Sequence, residues 1–592
     1  MKIYNRLTNS IQSFSNALLR FPLTAAFLVA IAALDAMVIN NNEVDDLERY
    51  IISLVVGACL SAVLQLAYER FCIRKTARIV SMAITVILTV GYYLTIMNEQ
   101  QLSQEVLVKT SVVVFGLIIA FLWIPSIKSK ITFNECFVSG FKAFFLTLLF
   151  SWVLMIGFSI IYYATDMLLF NLNEDIYLHT ANIVFVVFAV LYFLSLTPKY
   201  PGAIKVQKED GYAEELLRAT STPKILEVLI SYIVIPLSMI FTLILLVYIA
   251  INISSSFWTD ALLEPMLVSY IVAVILIYIL ASRMENRMAI MFRKIFPKVL
   301  LPIVVFQTIN SILRINDFGL TYGRYYAILF GIFAFIAALV FSLKPVEKNG
   351  IVPMVLIICV VISVIPMIDA FTISKNSQIS MLENVLIENE MLVDNRIIPK
   401  EDIDDLTKKR IIASTEYIRN MGYAEEIEWM PKEYDEFEAT FGFPQYEQEP
   451  MEDGYFSLGT DGLNDVVNIA GYDFLIETHI SNFDYGEETP NKYEFEKNNK
   501  KYSALIEEKG NEVFISLNDS GNKEIVSMKN EEIIKKIETF NLTVDSISIK
   551  DAYIISENEK GTINILIKYI DGEKNDKGYN FNAEIYIFIR VK

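Results

Sequence analysis

Residues 351–380 read IVPMVLIICVVISVIPMIDAFTISKNSQIS, and the character of the chain changes inside them. From Ile351 to Phe371 almost every side chain is apolar. From Ser374 onward no run approaches the roughly 20 apolar residues that a spanning helix needs. Charge changes at the same place. Ser374–Lys592 hold 24 Lys and Arg against 45 Asp and Glu, a net of −21, while the whole chain carries −18, which leaves about +3 for the first 373 residues. One chain is therefore two physical objects: a membrane body and an acidic, water-exposed appendage.

Working back from this break, ten further apolar runs appear. They are Phe21–Ile39, Tyr50–Ala67, Ile79–Met97, Ser111–Ile127, Phe137–Tyr163, Ala181–Leu196, Ile225–Ile251, Met266–Ala281, Val299–Ile315 and Tyr325–Leu343. With Ile351–Phe371 they predict a polytopic α-helical membrane protein of about eleven transmembrane helices. The lipid bilayer is thus the first partner. Lys and Arg recur at every second loop: Lys2, Arg6 and Arg20; Arg70, Arg74, Lys75 and Arg78; Lys128 and Lys130; Lys199, Lys205, Lys208, Arg218 and Lys224; Arg283, Arg287, Arg293, Lys294 and Lys298; Lys344 and Lys348. Because loops rich in these residues stay cytoplasmic, the N-terminus is expected inside. An odd helix count then puts the appendage outside, in a plasma-membrane protein.

Working forward, Ser374–Asp394 and Glu401–Met421 carry apolar residues at helical spacing. A juxtamembrane helical segment is expected over 374–422. Beyond it, Phe474–Ile480, Tyr502–Glu507, Glu512–Leu517, Ser546–Ser556, Thr562–Tyr569 and Phe581–Val591 read as strands, and Glu531–Phe540 as a short amphipathic helix. Val466–Ala470 reads as a further strand, and Asp571–Lys577 as a polar loop. The expectation for 423–592 is a C-terminal extracytoplasmic α+β domain with an antiparallel sheet.

Several chemistries lack their residues. The four cysteines, Cys59, Cys72, Cys136 and Cys359, form no CxxC pair, and His179 and His479 stand alone. No metal and no cofactor is expected. Phosphate-cradling, serine-hydrolase and zincin motifs are missing from usable contexts. An acidic appendage argues against nucleic acid. Catalysis is therefore not the leading expectation, and the oligomeric state is open.

The densest polarity inside the membrane body runs from Gln307 to Tyr326. On a helix, Gln307, Asn310, Arg314 and Asp317 share one face. Gly319 permits a tight turn between two apolar runs, with Thr321 and Arg324 just beyond it. Charge at this depth is costly unless paired or wet, so it marks a site. Two readings follow. Arg314 or Arg324 pairs with Asp317 to fix a helical hairpin, or the two arginines fork onto an anionic headgroup or phosphate. A weaker acidic candidate is Glu43, Asp45 and Asp46 in the loop after the first apolar run. There a polyprenyl-phosphate-sugar-dependent glycosyltransferase would carry catalytic carboxylates, although topology alone also yields acidic loops.

The stretch Arg314-Ile-Asn-Asp-Phe-Gly-Leu-Thr-Tyr-Gly-Arg324-Tyr-Tyr resembles the Arg-x-x-x-Tyr-Gly-Leu-Thr-x-x-Arg segment of a bacterial multi-pass family, domain-of-unknown-function family 4153. Phe318 stands where that segment has Tyr. The resemblance implies a helical membrane region with a C-terminal extension, and no activity. The leading functional expectation is a non-enzymatic envelope sensor or scaffold whose outer domain binds a partner. The alternative is a transporter or flippase for an anionic lipid or small solute.

Overall fold

In lipid every backbone amide must find its partner within the chain, so long apolar segments become helices. The computed structural model describes residues 14–40, 47–72, 74–97, 102–202, 212–252, 263–430, 437–445, 455–461, 469–483, 490–509, 512–540, 546–575 and 578–592. Among these, nine helices are long and apolar enough to cross a membrane. They are α1 (Pro22–Ile39), α2 (Leu47–Phe71), α3 (Lys75–Ile96), α4 (Gln104–Ser126), α5 (Phe133–Leu168), α6 (Asp175–Leu196), α7 (Leu216–Ile251), α8 (Glu264–Ala281) and α10 (Tyr322–Leu343). Between the last two lies α9 (Arg287–Phe318).

Two of the eleven expected runs are not among these nine. Val299–Ile315 sits inside α9, a 32-residue helix in which Lys298 borders the run and Arg314 lies near its end. Ile351–Phe371 is broken. Its helix, α11 (Ile351–Ile362), has 12 residues. Pro366 then disfavours helix in the residue before it, Met367 takes φ 75°, and Asp369 starts a new helix by accepting the amides of Phe371 and Thr372 at 3.1 and 3.2 Å.

The core of this membrane body is built mainly on α8 and α9. Leu267, Ile271, Val274, Phe292, Leu300 and Ile303 are buried together with Ala334, Ala337 and Ala338 of α10. The outer helix α5 instead leaves Phe145, Leu149, Trp152 and Ile160 exposed, as a lipid-facing helix does.

Arginines tie the helix ends. Arg20 pairs with Glu69 at 2.8 Å and donates to the Thr197 carbonyl at 2.7 Å. Arg70 donates to the carbonyls of Ile127 and Pro201 at 2.8 and 2.9 Å. Arg78 reaches the Leu19 carbonyl at 2.8 Å. The Lys/Arg-rich loops after α2, α4 and α6 therefore gather at one end of the bundle. At the other end His179 meets Asn40 at 3.2 Å, and Arg49 donates to the Met97 carbonyl at 3.1 Å.

After the break come α12 (Ala370–Glu388), the short strands β1 (Leu392–Val393) and β2 (Arg396–Ile397), α13 (Asp405–Asn420) and α14 (Phe437–Phe441). Asp404 caps α13 through the Thr407 amide at 3.0 Å. Leu382, Leu386, Ile411 and Ile418 bury together with Tyr423, Met430, Phe441 and Phe443. This cluster belongs to the first of two compact units, Met1–Gln445.

The second unit, Tyr446–Lys592, is α+β. One sheet runs β4 (Phe474–Ser481), β12 (Gly578–Val591), β11 (Gly561–Asn575), β3 (Tyr455–Asp461) and β9 (Ser546–Ser548), with β10 (Tyr553–Glu557) also on β11. Its pairs are antiparallel except β3 with β9. The other sheet is an antiparallel meander of β5 (Asn491–Lys497), β6 (Lys500–Lys509), β7 (Glu512–Asp519) and β8 (Glu524–Lys529). Alternation buries Phe581, Ala583, Ile585, Ile587 and Ile589 of β12 against Ile515 and Leu517 of β7 and Ile533 and Ile537 of α15 (Asn530–Ile537). The polar stretch Asp571–Lys577 is not a loop: β11 continues to Asn575 and β12 resumes at Gly578. Cross-strand polar pairs carry it, with Asn580 donating to Glu573 at 3.1 Å and Asn582 to Asp571 at 3.3 Å. Ser546–Ser556 is two strands separated by a turn. Most of Val466–Ala470 lies outside the described residues.

Candidate functional site

The helical face expected from the spacing of Gln307, Asn310 and Arg314 points inward. Gln307, Asn310 and Ser311 are 0% exposed. Gly331 of α10 lets the two helices approach there. A Cβ at that position would stand 2.3 Å from Thr308 Oγ1 and 3.0 Å from Gln307 Oε1. A polar chain threads this contact. Gln307 Nε2 donates to Ser311 Oγ at 3.1 Å, and the Ser311 hydroxyl donates to Glu264 Oε1 at the start of α8. The other Glu264 oxygen faces Arg314 Nη1 at 3.9 Å, and both side chains are nearly buried. Buried polar atoms normally have partners. Gln307 Oε1, Arg314 Nε and both amide atoms of Asn310 have none.

Next to this chain the helix turns. Gly319 takes φ 68° and ψ 174°, a region open essentially to glycine. Thr321 caps α10 by accepting the Arg324 amide at 3.4 Å. Arg324 folds back onto the end of α9 and donates to the carbonyls of Gly319 at 2.6 Å and Phe318 at 3.2 Å. Four side chains from α12 and α13 hold the turn from outside. Gln378 donates to the Phe318 carbonyl at 2.9 Å, and Ser377 accepts the Leu320 amide at 2.9 Å. Tyr417 accepts the Tyr322 amide at 3.2 Å. Arg410 donates to the Asp317 carbonyl at 2.9 Å and lies 3.8 Å from its carboxylate.

Asp317 therefore takes neither arginine of its own hairpin. Arg314 uses Glu264, Arg324 uses backbone carbonyls, and Asp317 uses Arg410. Sequence reasoning missed Glu264, Gln378, Arg410 and Tyr417, which lie 47 to 95 residues from their partners.

A third layer anchors α12 to α4. Lys109 lies 2.9 Å from Asp369, which is 1% exposed, and 2.6 Å from Glu105. Thr372 donates to the second Asp369 oxygen at 2.7 Å. Burial pushes the Asp369 carboxyl up, but Thr372 and Lys109 outweigh it and the net shift is downward. Tyr423 donates to Glu105 at 3.4 Å, and burial followed by the Glu105 charge pushes its phenol up, so it stays neutral. Tyr322 accepts from Gln104 at 2.8 Å and stacks on Phe371 at 5.0 Å between ring centres.

The weaker acidic candidate, Glu43, Asp45 and Asp46, lies outside the described residues.

Residues 23–396 match a family described as Domain of unknown function (DUF4153), a span that includes the buried chain, the turn and α12. No curated protein and no solved structure shows a match.

Proposed function

We propose, from the premise that the chain belongs to the DUF4153 family, that it is a non-enzymatic membrane sensor or scaffold. Its α+β unit binds an envelope partner outside the cytoplasm, and the membrane body reads that event through the Arg314–Arg324 hairpin. One observation carries the reading. The hairpin's turn gives its backbone groups to side chains of α12 and α13, so any shift of those two helices must break or remake Gln378, Ser377, Tyr417 and Arg410 contacts. The turn in turn sets Arg314 against Glu264. A relay requires an element with two arrangements that both sites bias, and the proposal assigns that part to this hairpin.

Gln378→Ala with Arg410→Gln tests it. Hydrogen exchange should rise at residues 318–324 and 307–314, with α1–α6 unchanged, and the variant should fail to rescue a deletion strain despite normal abundance. Unchanged exchange, or full rescue, refutes the relay. Orientation is tested with a cysteine at Ser520, an exposed turn residue, in a chain without the native four. It should react with an impermeant thiol reagent on intact cells, and protection until lysis refutes the outside placement.

The transport reading has its own support in the unpartnered Asn310 amide beside Arg314. Asn310→Leu separates the two. A polar path would lose flux, whereas a relay would gain stability by losing a buried group without partners.

A further inference from the structure

The half of α9 remote from the hairpin carries a different arrangement. Arg287, Lys294 and Lys298 stand seven and four residues apart, which places them on one stripe of the helix, rising about 16 Å along it. All three are exposed. Among the described residues none of the three has an ion pair or a side-chain hydrogen bond. Neighbouring cations differ: Arg293 donates to the Ala281 and Met284 carbonyls, and Arg283 pairs with Glu135 at 2.8 Å. Against the stripe lies a shallow, open groove of about 780 Å³, lined along the same helix by Ile290, Ile295, Val299 and Pro302 and across from it by Leu246 of α7. Arg283, four residues before Arg287, pairs with Glu135 at the start of α5, just past the Ile127 carbonyl that Arg70 holds, so this groove lies toward the end of the bundle where Arg70 ties the loops.

We infer that the groove binds an anionic phospholipid whose headgroup carries two phosphodiesters, the cardiolipin class. The phosphates pair with Arg287, Lys294 and Lys298, and acyl chain lies along Ile295, Val299 and Leu246. Each half of the groove excludes a simpler ligand. A soluble anion makes no use of the apolar wall, and a zwitterionic lipid leaves three cations unneutralised. Lys294 and Lys298 are about 6 Å apart along the axis, which suits two phosphates on one glycerol bridge. Basic recesses between membrane helices recognise such headgroups by charge. This site is independent of the hairpin and of the relay proposed above.

The test uses the full chain, purified and delipidated in neutral detergent, with cardiolipin, phosphatidylglycerol, phosphatidylcholine or inorganic phosphate added. Retention is read by native mass spectrometry and melting by thermal shift. Cardiolipin should be retained best and should raise the melting temperature. Arg287→Gln, Lys294→Gln and Lys298→Gln together should weaken it about a hundred-fold, taking each basic contact at its usual contribution. Lys130→Gln, Lys344→Gln and Lys348→Gln together should not. Ile295→Trp with Val299→Trp, which fills the groove and keeps the charges, should also lose the lipid, and it guards against a triple variant that fails to fold. Equal loss in both triple variants, equal retention of phosphatidylcholine, or full competition by inorganic phosphate would overturn the inference.

Discussion

Asp369 is where a single substitution separates two effects. Its carboxylate caps α12 and holds Lys109 of α4 at 2.9 Å while 1% exposed. Replacing it with Ala removes the cap, about 1 kcal/mol, and one partner of a buried ion pair, up to about 3–5 kcal/mol. The second figure is too large here. Lys109 is 28% exposed and keeps Glu105 at 2.6 Å, so it is not left as an isolated buried charge. We expect a total of about 2–4 kcal/mol for Asp369→Ala. Asp369→Asn keeps one oxygen for the cap and loses the charge and the second acceptor that Thr372 uses, about 1–2 kcal/mol. Equilibrium unfolding of the full chain in detergent micelles, by steric trapping or denaturant, measures both. The sign with pH follows from the direction of the shift. A carboxyl held lower in the folded state adds stability that is complete above its unfolded value of about 3.9 and lost as pH falls through the folded value. The gap between wild type and Asp369→Asn should therefore be constant at neutral pH and shrink below about pH 4. Equal loss in Asn and Ala, or an Ala variant within about 0.5 kcal/mol of wild type, would refute the reasoning.

Three other outcomes follow from the same contacts. Glu264→Gln and Arg314→Gln should couple by about 0.5–3 kcal/mol in a double-mutant cycle, and additive losses would mean that the 3.9 Å pair does not act as one. Gly319→Ala should cost about 1–3 kcal/mol in backbone strain, and its Cβ would press on Gln378 Nε2 at 2.7 Å, so exchange at the Leu320 amide should rise; a protected amide would show that the turn adapts. A fragment of residues 446–592 should be soluble and melt cooperatively, because its apolar strands close on one core, and an unfolded circular dichroism spectrum would show dependence on the membrane body.

The apolar runs made most of the membrane body legible, because lipid imposes its length rule on each helix separately. Two runs are built differently from the rest. Val299–Ile315 is shielded by α8 and α10 within a longer helix, and Ile351–Phe371 contains Pro366 and a capping Asp369 that end one helix and begin another. Strands with strong alternation, such as β12, were readable. The polar ends of the β11–β12 hairpin were not, since Asn–Asp and Asn–Glu pairs look like a loop until both strands are aligned. At the hairpin the sequence identified the residues and the turn but not their partners. Local spacing offered Asp317 to Arg314 and Arg324, whereas Glu264 and Arg410 meet them only through tertiary packing.

The arginine clamps at the loop-gathering end also bear on how the chain is made. During insertion, positive charge biases a loop to stay where it was synthesised. In the finished bundle the same guanidinium groups close onto carbonyls of other loops, as Arg70 does on Ile127 and Pro201. Lysine satisfies the first demand but not the second, for it has charge without the fork. Arg70→Lys would therefore leave biogenesis intact and the mature bundle untied at one corner, so that orientation and durability, which a single residue serves in succession, come apart.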